Sequence, residues 1–415
     1  MASTAIINAR VFDGENVLPA ATTVVVSGAT ITAVGGPVPD GATVINGEGC
    51  TLLPGLIDSH VHTGIPQLEL ALKFGVTTEL EMMGYWDAES RRQIAERDDL
   101  ADLRTASYGL TAPDGHPNQL TKRLDASVPL PHHHHHETPS GEAVLTTATT
   151  PDEAVTFVKQ RVSEGADYIK IMIEDGTVFA SPGLPMLSRE TLSAAVTEAH
   201  KHDKLVIAHA MTYEAAEVAA EVGVDGLSHL FLDRGADLNI LEKLKGKFII
   251  PCLCLDASIL GIKPTTFARD HRVSASLPQT WLTHLNGSMD TFPGGDFSTV
   301  LKIVAALRET ETIDVLVGTD SSFPVPHLAG IAHGASVHYE LQLLVEAGFT
   351  PVEALRAATS VPARCFGLGD RGLIKEGLRA DLVLVQGGPT GDIRDTLSVK
   401  SVWRRGKLLA STAGL

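Results

Sequence analysis

Short apolar segments alternate with amphipathic helical segments over about 310 residues in the middle of the chain, which favours a (β/α)8 barrel. Residues 151–165 have apolar side chains at helical spacing, and Ser188 and Thr212 are N-cap candidates for the next two helices. An open doubly wound sheet is the competing arrangement, but no G-x-G-x-x-G motif follows the first strand. The predicted strands are 55–62, 77–84, 104–112, 168–174, 205–210, 226–231, 247–253 and 315–320.

The two ends of the chain have a different pattern, with short β-branched segments separated by Gly, Asp and Pro. No helix of useful length fits either end. We therefore expect residues 1–52 and 372–415 to pair into one small β-sandwich domain, with the barrel domain, residues 53–371, inserted between them. Two long connections, 113–150 and 254–300, interrupt the alternation, and such loops usually border an active site.

Composition limits the classes of partner. The 415 residues include 33 Lys and Arg against 50 Asp and Glu, a net charge of −17, which argues against nucleic acid and anionic membranes as partners. No apolar run approaches the ~18 residues of a membrane span, and the first residues lack the pattern of a signal peptide. Four cysteines are too few for a disulfide framework. We expect a cytoplasmic protein that acts on a small molecule.

Residues that can bind a metal ion lie where the predicted strands end. His60 and His62 close the first strand, and because residues i and i+2 point to the same side of a strand, both imidazoles face the barrel interior. His209, His229 and Asp320 end strands five, six and eight. Strand ends converge on one mouth of a barrel, so these side chains can meet there. Four histidines and an aspartate suit zinc or a similar divalent ion.

Lys170 lies inside the fourth strand, between Ile169 and Ile171. A buried ammonium is costly and would repel a metal ion. A neutral lysine amine, however, can react with CO2 to give a carbamate, whose two oxygens can bridge two cations, and burial lowers the lysine pKa in favour of that reaction. The alternative is a lysine that reaches outward to pair with Glu174 or Asp175.

In this combination and order, these residues resemble the amidohydrolase superfamily. The resemblance covers nearly the whole chain, and two of its segments, "GADYIKI" and "EAGFTPVEALRAAT", are most similar to the imidazolonepropionase-like and Xaa-Pro dipeptidase-like branch. The other matching segments are "PGLIDSHVH", "VIAHAMTYEAAEVAAEVGVDGLSHL", "VGTDSS" and "TPVEALRAATSVPARCFGL".

The resemblance implies two divalent ions, with Zn²⁺ as the expected metal. His60, His62 and Asp320 would bind the first, His209 and His229 the second, and carboxylated Lys170 would bridge both. A hydroxide between the ions would attack an amide or other C–N bond, and Asp320 would pass its proton to the leaving nitrogen. The resemblance also implies a homo-oligomer.

Three other functions stay open. Phosphotriester or lactone hydrolysis uses the same metal pair. A catalytically silent scaffold is a second alternative, against which all six ligand positions argue. A deaminase or isomerase with a single metal ion is the third, and it has no need of the bridging Lys170.

Three residues are candidates for substrate contact through the same resemblance: His116 in "APDGHPN", Tyr213, and His333 in "AHGAS". An ordinary loop or packing role is the alternative for each. Glu174 and Asp175 depart from the small residues usual in the family at that place, and they disfavour an anionic substrate.

Two cysteine and histidine patterns are interpreted as structural. Cys252 and Cys254 alternate on the seventh strand, and we interpret both as small buried apolar residues. The run His132–His136 is interpreted as part of a solvated low-complexity loop.

Overall fold

The computed structural model describes residues 3–121, 145–237 and 239–409, so the His132–His136 run lies outside the described residues. The strands are β1 Ser3–Ile7, β2 Arg10–Val11, β3 Val24–Ser27, β4 Thr30–Val34, β5 Thr43–Asn46, β6 Cys50–Pro54, β7 Leu56–Val61, β8 Val76–Glu81, β9 Asp102–Thr105, β10 Ile169–Ile173, β11 Val206–Ala210, β12 Gly226–Ser228, β13 Phe248–Ile250, β14 Asp314–Val315, β15 Leu382–Gln386, β16 Val399–Arg404 and β17 Lys407–Leu408.

The α-helices are α1 Ile65–Lys73, α2 Ala88–Glu96, α3 Asn118–Thr121, α4 Pro151–Ser163, α5 Arg189–Lys201, α6 Tyr213–Val222, α7 Ile240–Leu244, α8 Leu253–Ile259, α9 Thr265–Ala268, α10 His271–Ser274, α11 Gln279–Leu285, α12 Phe297–Glu309, α13 Ala335–Glu346, α14 Pro351–Ala357 and α15 Ser360–Cys365. Short 3-10 helices cover Thr177–Phe179, Pro326–Leu328 and Ile393–Leu397. Within the described ranges, none of these helices has the length and apolar character needed to cross a membrane.

Strands from the two ends of the chain pair in one sheet. β6 pairs antiparallel with β15, with Leu52 opposite Leu384, and the full order is β17-β16-β15-β6-β2. A second sheet, β4-β3-β1-β5, comes from the N-terminal segment alone. Side chains of both sheets, among them Ile31, Leu52 and Trp403, share one apolar core. The domain limits near residues 52 and 372 stay a prediction.

Eight parallel strands form the middle of the molecule, so the expected α/β class is confirmed. β7-β8-β9 make one sheet and β10-β11-β12-β13-β14 another, and each strand overlaps one of the eight predicted segments. Isolated parallel bridges connect Leu110 with Ile171 and Val61 with Ser321, at the outer edges of the two sheets. The backbone N–H of His62 donates to the Ser321 carbonyl at 2.7 Å beside the second bridge. The carboxyl ends of the strands therefore point the same way.

Side-chain caps fix where the helices begin. Ser188 accepts from the Thr191 N–H at the start of α5, and Thr212 accepts from the Ala215 N–H at the start of α6. Both predicted N-caps are confirmed. A cap of this kind satisfies a backbone donor that has no partner within its own helix. Thr212 thus makes the chain turn into α6 directly after β11.

The expected long connection over 254–300 is wrong. The chain there forms α8 to α11 and begins α12. The seventh strand is also shorter than expected, because β13 ends at Ile250, Cys252 adopts φ 54° and α8 begins at Leu253. Helices of four to seven residues, as α8 to α11 are, give too few turns for a periodic apolar pattern to be recognised.

A buried ion-pair cluster joins β9 to the C-terminal part of the chain. Asp102 contacts the guanidinium groups of Arg371, Arg379 and Arg404, the last two at 3.2 and 3.1 Å. Burial alone would raise the pKa of Asp102, but the three guanidinium charges outweigh it and hold the pKa well below its usual range. The carboxylate therefore stays ionised, and together with Asp370 and Asp381 it balances the positive charge of the three guanidinium groups.

We predict that Asp102→Asn lowers the free energy of unfolding by about 3–5 kcal/mol, because it removes the one carboxylate that all three guanidinium groups share and leaves the cluster with excess positive charge. Since the pKa of Asp102 is lowered by folding, its contribution is present above the unfolded-state pKa of ~3.9 and is lost only as the pH falls towards the lower folded value. Urea unfolding of both proteins at pH 7 and at decreasing pH measures this difference. Asp99→Asn, at the exposed pair with Arg97, is the control and should cost less than about 1 kcal/mol. Equal losses in the two variants would contradict the prediction.

Candidate metal centre

The ends of β7 and β14 bring two imidazoles to one carboxylate. His60 Nε2 lies 3.2 Å and His62 Nε2 3.0 Å from Asp320 Oδ1. His60 is buried, whereas the side chain of His62 is 25% exposed and so reaches the cavity described below. The alternation of side chains along β7 places both rings on the same side.

His209 and His229 complete the histidine cluster, and Lys170 lies beside them. The ring of His229 is 4.9 Å from that of His60 and 4.7 Å from that of His209, between centroids. Lys170, on β10, is buried, and its Nζ donates to Ser228 Oγ at 2.7 Å. The structure thus brings the six predicted ligands together. The alternative of an outward Lys170 paired with Glu174 or Asp175 is wrong.

Burial lowers the pKa values of four basic groups of this cluster, His60, His209, His229 and Lys170. Desolvation, with Lys170 next, lowers the pKa of His209 to about 3, and burial holds the pKa values of His60 and His229 well below the usual range. Burial also lowers the pKa of Lys170 to about 7, so a substantial fraction of its amine is unprotonated at neutral pH. Neutral imidazoles offer lone pairs to a metal ion, and a neutral amine can react with CO2.

The polar atoms of the cluster lack hydrogen-bond partners within the described part of the chain. Asp320 Oδ1 and both ring nitrogens of His229 are buried and unpartnered. Each neutral imidazole has one unprotonated nitrogen, so several nitrogen lone pairs and a carboxylate oxygen lie together here. A divalent cation between them supplies what each atom lacks, so these residues fit a metal site.

Three of the four histidines have a neighbouring polar atom at the ring nitrogen that faces away from the cluster, although the His209–Glu174 contact lacks hydrogen-bond geometry. His62 Nδ1 lies 3.3 Å from the Met83 carbonyl, and His209 Nε2 lies 3.4 Å from Glu174 Oε2. His60 Nδ1 lies 3.7 Å from Cys252 Sγ. Partners of this kind fix the tautomer and the orientation of a metal-ligating histidine. His62 therefore presents Nε2, and His209 presents Nδ1, to the cluster.

A cavity of about 130 Å³ opens above the cluster. His116 forms part of its wall, with its ring stacked on those of His209 and Phe179 at centroid distances of 4.6 and 4.8 Å. Gln119 Nε2 donates to His116 Nδ1 at 2.8 Å, which leaves the proton on Nε2. The apolar part of the wall consists of Met83, Pro117, Leu120, Met172, Phe179, Leu255, Met289, Phe323, Val325, Leu328 and Ile331.

The sequence model of the amidohydrolase family matches residues 51–409, which is most of the chain. The chain belongs to the amidohydrolase family. Members of this family usually bind divalent metal ions, and the candidate metal ligands of this chain fall within the matched range.

Known proteins similar to this amidohydrolase include ochratoxinase of Aspergillus niger, which is 25% identical over 265 residues, 62% of this chain and 49% of that protein. The chain thus spans about half the length of this curated relative. An adenine deaminase of Lysinibacillus sphaericus is 36% identical over 75 residues, 18% of this chain and 12% of the deaminase. A Xaa-Pro dipeptidase crystallised with methionine is 21% identical, with a TM-score of 0.72 over 99% of this chain and 100% of the dipeptidase. That likeness shows that the two share a fold.

The structure places two of the predicted substrate contacts outside the cavity wall of this amidohydrolase. Tyr213 packs edge-on against Phe231 and lies under the guanidinium group of Arg234. His333 is buried, and its Nδ1 lies 2.9 Å from Glu79 Oε1. These positions do not favour substrate contact for either residue, whereas His116 lines the cavity.

Sequence reasoning missed the roles of Glu174 and Glu81. Glu174 is buried at the end of β10, and burial raises its pKa to about 8. Glu81, at the end of β8, lines the cavity, and its Oε2 accepts from Thr105 Oγ1 at 2.7 Å. Burial raises the pKa of Glu81 well above its usual range. The available signal was an acidic residue at the end of an otherwise apolar strand in both cases.

We predict that Glu174→Ala lowers the affinity for one of two bound divalent ions by about 10–100-fold, because His209 loses the partner that orients its ring. Titration of the metal-free protein with Zn²⁺ in the presence of a chelator measures both affinities. Asp175→Asn changes the neighbouring carboxylate, which accepts from the Thr177 N–H, and serves as the control. An affinity that stays the same in Glu174→Ala would refute the orienting role.

Proposed function

We propose that this amidohydrolase uses two divalent ions, with Zn²⁺ as the expected metal, to cleave an amide or other C–N bond of a small, mostly apolar molecule. The observation that carries the proposal is the position of Asp320 Oδ1, which lies within 3.2 Å of two imidazole nitrogens and has no hydrogen-bond donor in the described chain. The proposal includes a (β/α)8 barrel built from the eight parallel strands and a β-sandwich built from both chain ends.

The ligand assignment follows the two sides of the cluster. His60, His62 and Asp320 would hold one ion, His209 and His229 the other, and a carboxylated Lys170 would contact both. The bound ions would polarise the scissile carbonyl and lower the pKa of a water molecule towards ~7, so that it attacks at neutral pH.

Asp320 is placed to move the proton. Its Oδ1 faces the two β7 imidazoles, whereas Oδ2 lies 3.8 Å from His229 Nε2, beyond hydrogen-bond distance. Oδ2 can take up the proton of the attacking water and return it to the leaving nitrogen. His116, with its proton on Nε2, can donate a hydrogen bond to a substrate oxygen from the cavity wall.

The cavity wall favours a neutral substrate. Among its described residues, Lys170 is the single Lys or Arg, and it belongs to the metal site. A carboxylate on the substrate would therefore be desolvated against apolar side chains without a cationic partner. This supports an aryl or alkyl amide, and it gives no support to a free dipeptide.

We predict two Zn²⁺ ions per chain and, for Asp320→Asn, a loss of kcat of about 10²–10⁴-fold, because the proton acceptor is removed. Metal analysis measures the number of ions per chain. The loss of kcat is measured in a screen of N-acyl amino acids, X-Pro dipeptides, hydantoin-like rings and aryl esters. Asp314→Asn is the matched control, since Asp314 lies on β14 and pairs with Arg364 at the surface.

The same measurements separate the alternatives. One ion per chain would favour a single-metal deaminase or isomerase, and none would favour a silent scaffold. Turnover confined to phosphotriesters or lactones would move the reaction away from C–N bonds.

We predict that methyl 4-acetamidobenzoate has a kcat/KM at least about tenfold above that of 4-acetamidobenzoate, because the free carboxylate of the second compound lacks a cationic partner in the cavity wall. Met289→Lys adds a cation to the half-buried part of the wall and should narrow this ratio, whereas Met289→Gln should leave it unchanged. Faster hydrolysis of the carboxylate by the unmodified enzyme would exclude the neutral-substrate assignment.

Two further properties stay predictions from sequence. A cytoplasmic location and a homo-oligomeric state both await measurement in the full protein. Binding to nucleic acid or to an anionic membrane is not expected, because the chain carries a net charge of −17.

A further inference from the structure

Cys252 lies beside the metal centre, although its sequence pattern suggested a packing residue. The side chain is fully buried, two residues beyond the end of β13. Its Sγ is 3.7 Å from His60 Nδ1, within the range of a hydrogen bond to sulfur. The thiol is therefore in contact with a residue of the proposed ligand set.

The backbone at Cys252 has the same unusual conformation as that at two of the proposed ligands. φ is 54° at Cys252, 72° at His229 and 55° at Asp320, and the three residues follow β12, β13 and β14 in turn. A left-handed conformation in a residue other than glycine costs ~1–3 kcal/mol and is concentrated at functional sites. Cys252 thus follows its strand in the same left-handed conformation as two proposed ligands that follow the neighbouring strands.

Glu340 holds this conformation in place. Its two carboxylate oxygens accept from the backbone N–H groups of Leu253 and Cys254, each at 2.8 Å. These donors belong to the first turn of α8, where backbone N–H groups lack partners inside the helix. Fixing the start of α8 fixes the direction of the Cys252 side chain that precedes it.

The two nitrogens of His60 face different partners. Nε2 lies 3.2 Å from Asp320 Oδ1, and Nδ1 lies 3.7 Å from Cys252 Sγ. The two nitrogens are on different edges of the ring. A cation bound by Nε2 beside Asp320 is therefore not on the edge of the ring that faces the Cys252 sulfur. The thiol instead contacts the nitrogen that faces away from the cation. Glu174 contacts the corresponding nitrogen of His209, and the Met83 carbonyl that of His62.

We infer that Cys252 is a positioning residue of the metal centre, whose sulfur accepts a hydrogen bond from His60 Nδ1–H and so keeps the lone pair of Nε2 directed at the cation. This inference rests on the proposed two-metal function. The nitrogen and sulfur atoms of His60, His229 and Cys252 also lie within 4.8 Å of one another, so direct binding of a soft ion by the thiol is the competing outcome.

The first test uses the metal-free full-length protein labelled with ¹⁵N-histidine. In the metal-free protein Asp320 Oδ1 and Cys252 Sγ compete for the single ring proton of His60, so the His60 signals, assigned with His60→Asn, should show an Nδ1–H fraction that falls in Cys252→Ala. Cys252→Ser keeps an acceptor and should retain most of the Nδ1–H form. Cys254→Ala removes the neighbouring buried thiol, which contacts the Thr319 carbonyl, and should leave the tautomer unchanged.

The second test is metal binding. Cys252→Ala should lower the affinity for one of the two Zn²⁺ ions by about 10–100-fold, with Cys254→Ala as the control for loss of a buried thiol. The cobalt-substituted protein should show no sulfur-to-metal charge-transfer absorption. Such a band in the unmodified protein that disappears in Cys252→Ala would overturn the positioning role in favour of direct binding.

The positioning role of Cys252 would also be overturned if Cys252→Ala changed neither the tautomer of His60 nor the affinity for Zn²⁺. If the unmodified protein binds no metal ion, the proposed function fails, and the tautomer measurement still decides on the His60–Cys252 contact by itself. If Cys252→Ala does not fold, the comparison of Cys252→Ser with the unmodified protein takes its place.

Discussion

A buried carboxylate oxygen that faces two imidazoles is the constraint on which the rest of this site depends. Asp320 faces His60 and His62, and burial keeps the pKa of His60 well below its usual range, so that ring has no second proton to donate. In water such a carboxylate would be satisfied by solvent, but here the nearest groups are further acceptors. The arrangement makes physical sense around a cation, and both the family membership and the order of ligands along the chain agree with that.

The backbone contributes as much as the side chains to this arrangement. The carboxyl ends of the parallel strands lie on one side of the sheets. The side chain of a residue that simply continued its strand would keep the alternating directions of that strand and point towards the core. The left-handed conformations at His229, Cys252 and Asp320 break that alternation one, two and five residues after the strands end. The cost of each turn is offset by the packing of the helices and loops that follow, of which α8, fixed by Glu340, is the clearest case.

The sequence predicted the parts of the site that depend on strand periodicity and order. His60 and His62 could be assigned to one face because they are two residues apart, and Lys170 could be placed inside because its neighbours are apolar. Cys252 and Cys254 are buried, as predicted, but the strand ends at Ile250 and not at residue 253, so strand periodicity did not predict the contact of Cys252 with His60. His333 meets Glu79 across 254 positions, and no local pattern reports a contact of that kind.

The acidic residues around the centre complete its electrostatics. The two divalent ions proposed above would bring more positive charge than Asp320 and a carboxylated Lys170 could balance. Glu174 and Glu81 are buried, and desolvation raises the pKa of Glu174 to about 8 and that of Glu81 well above its usual range. A nearby cation reverses that effect, because it stabilises the ionised carboxylate. Glu174, in contact with His209, can therefore stay neutral in the metal-free chain and ionise when metal binds, so the site need not bury uncompensated charge in either state.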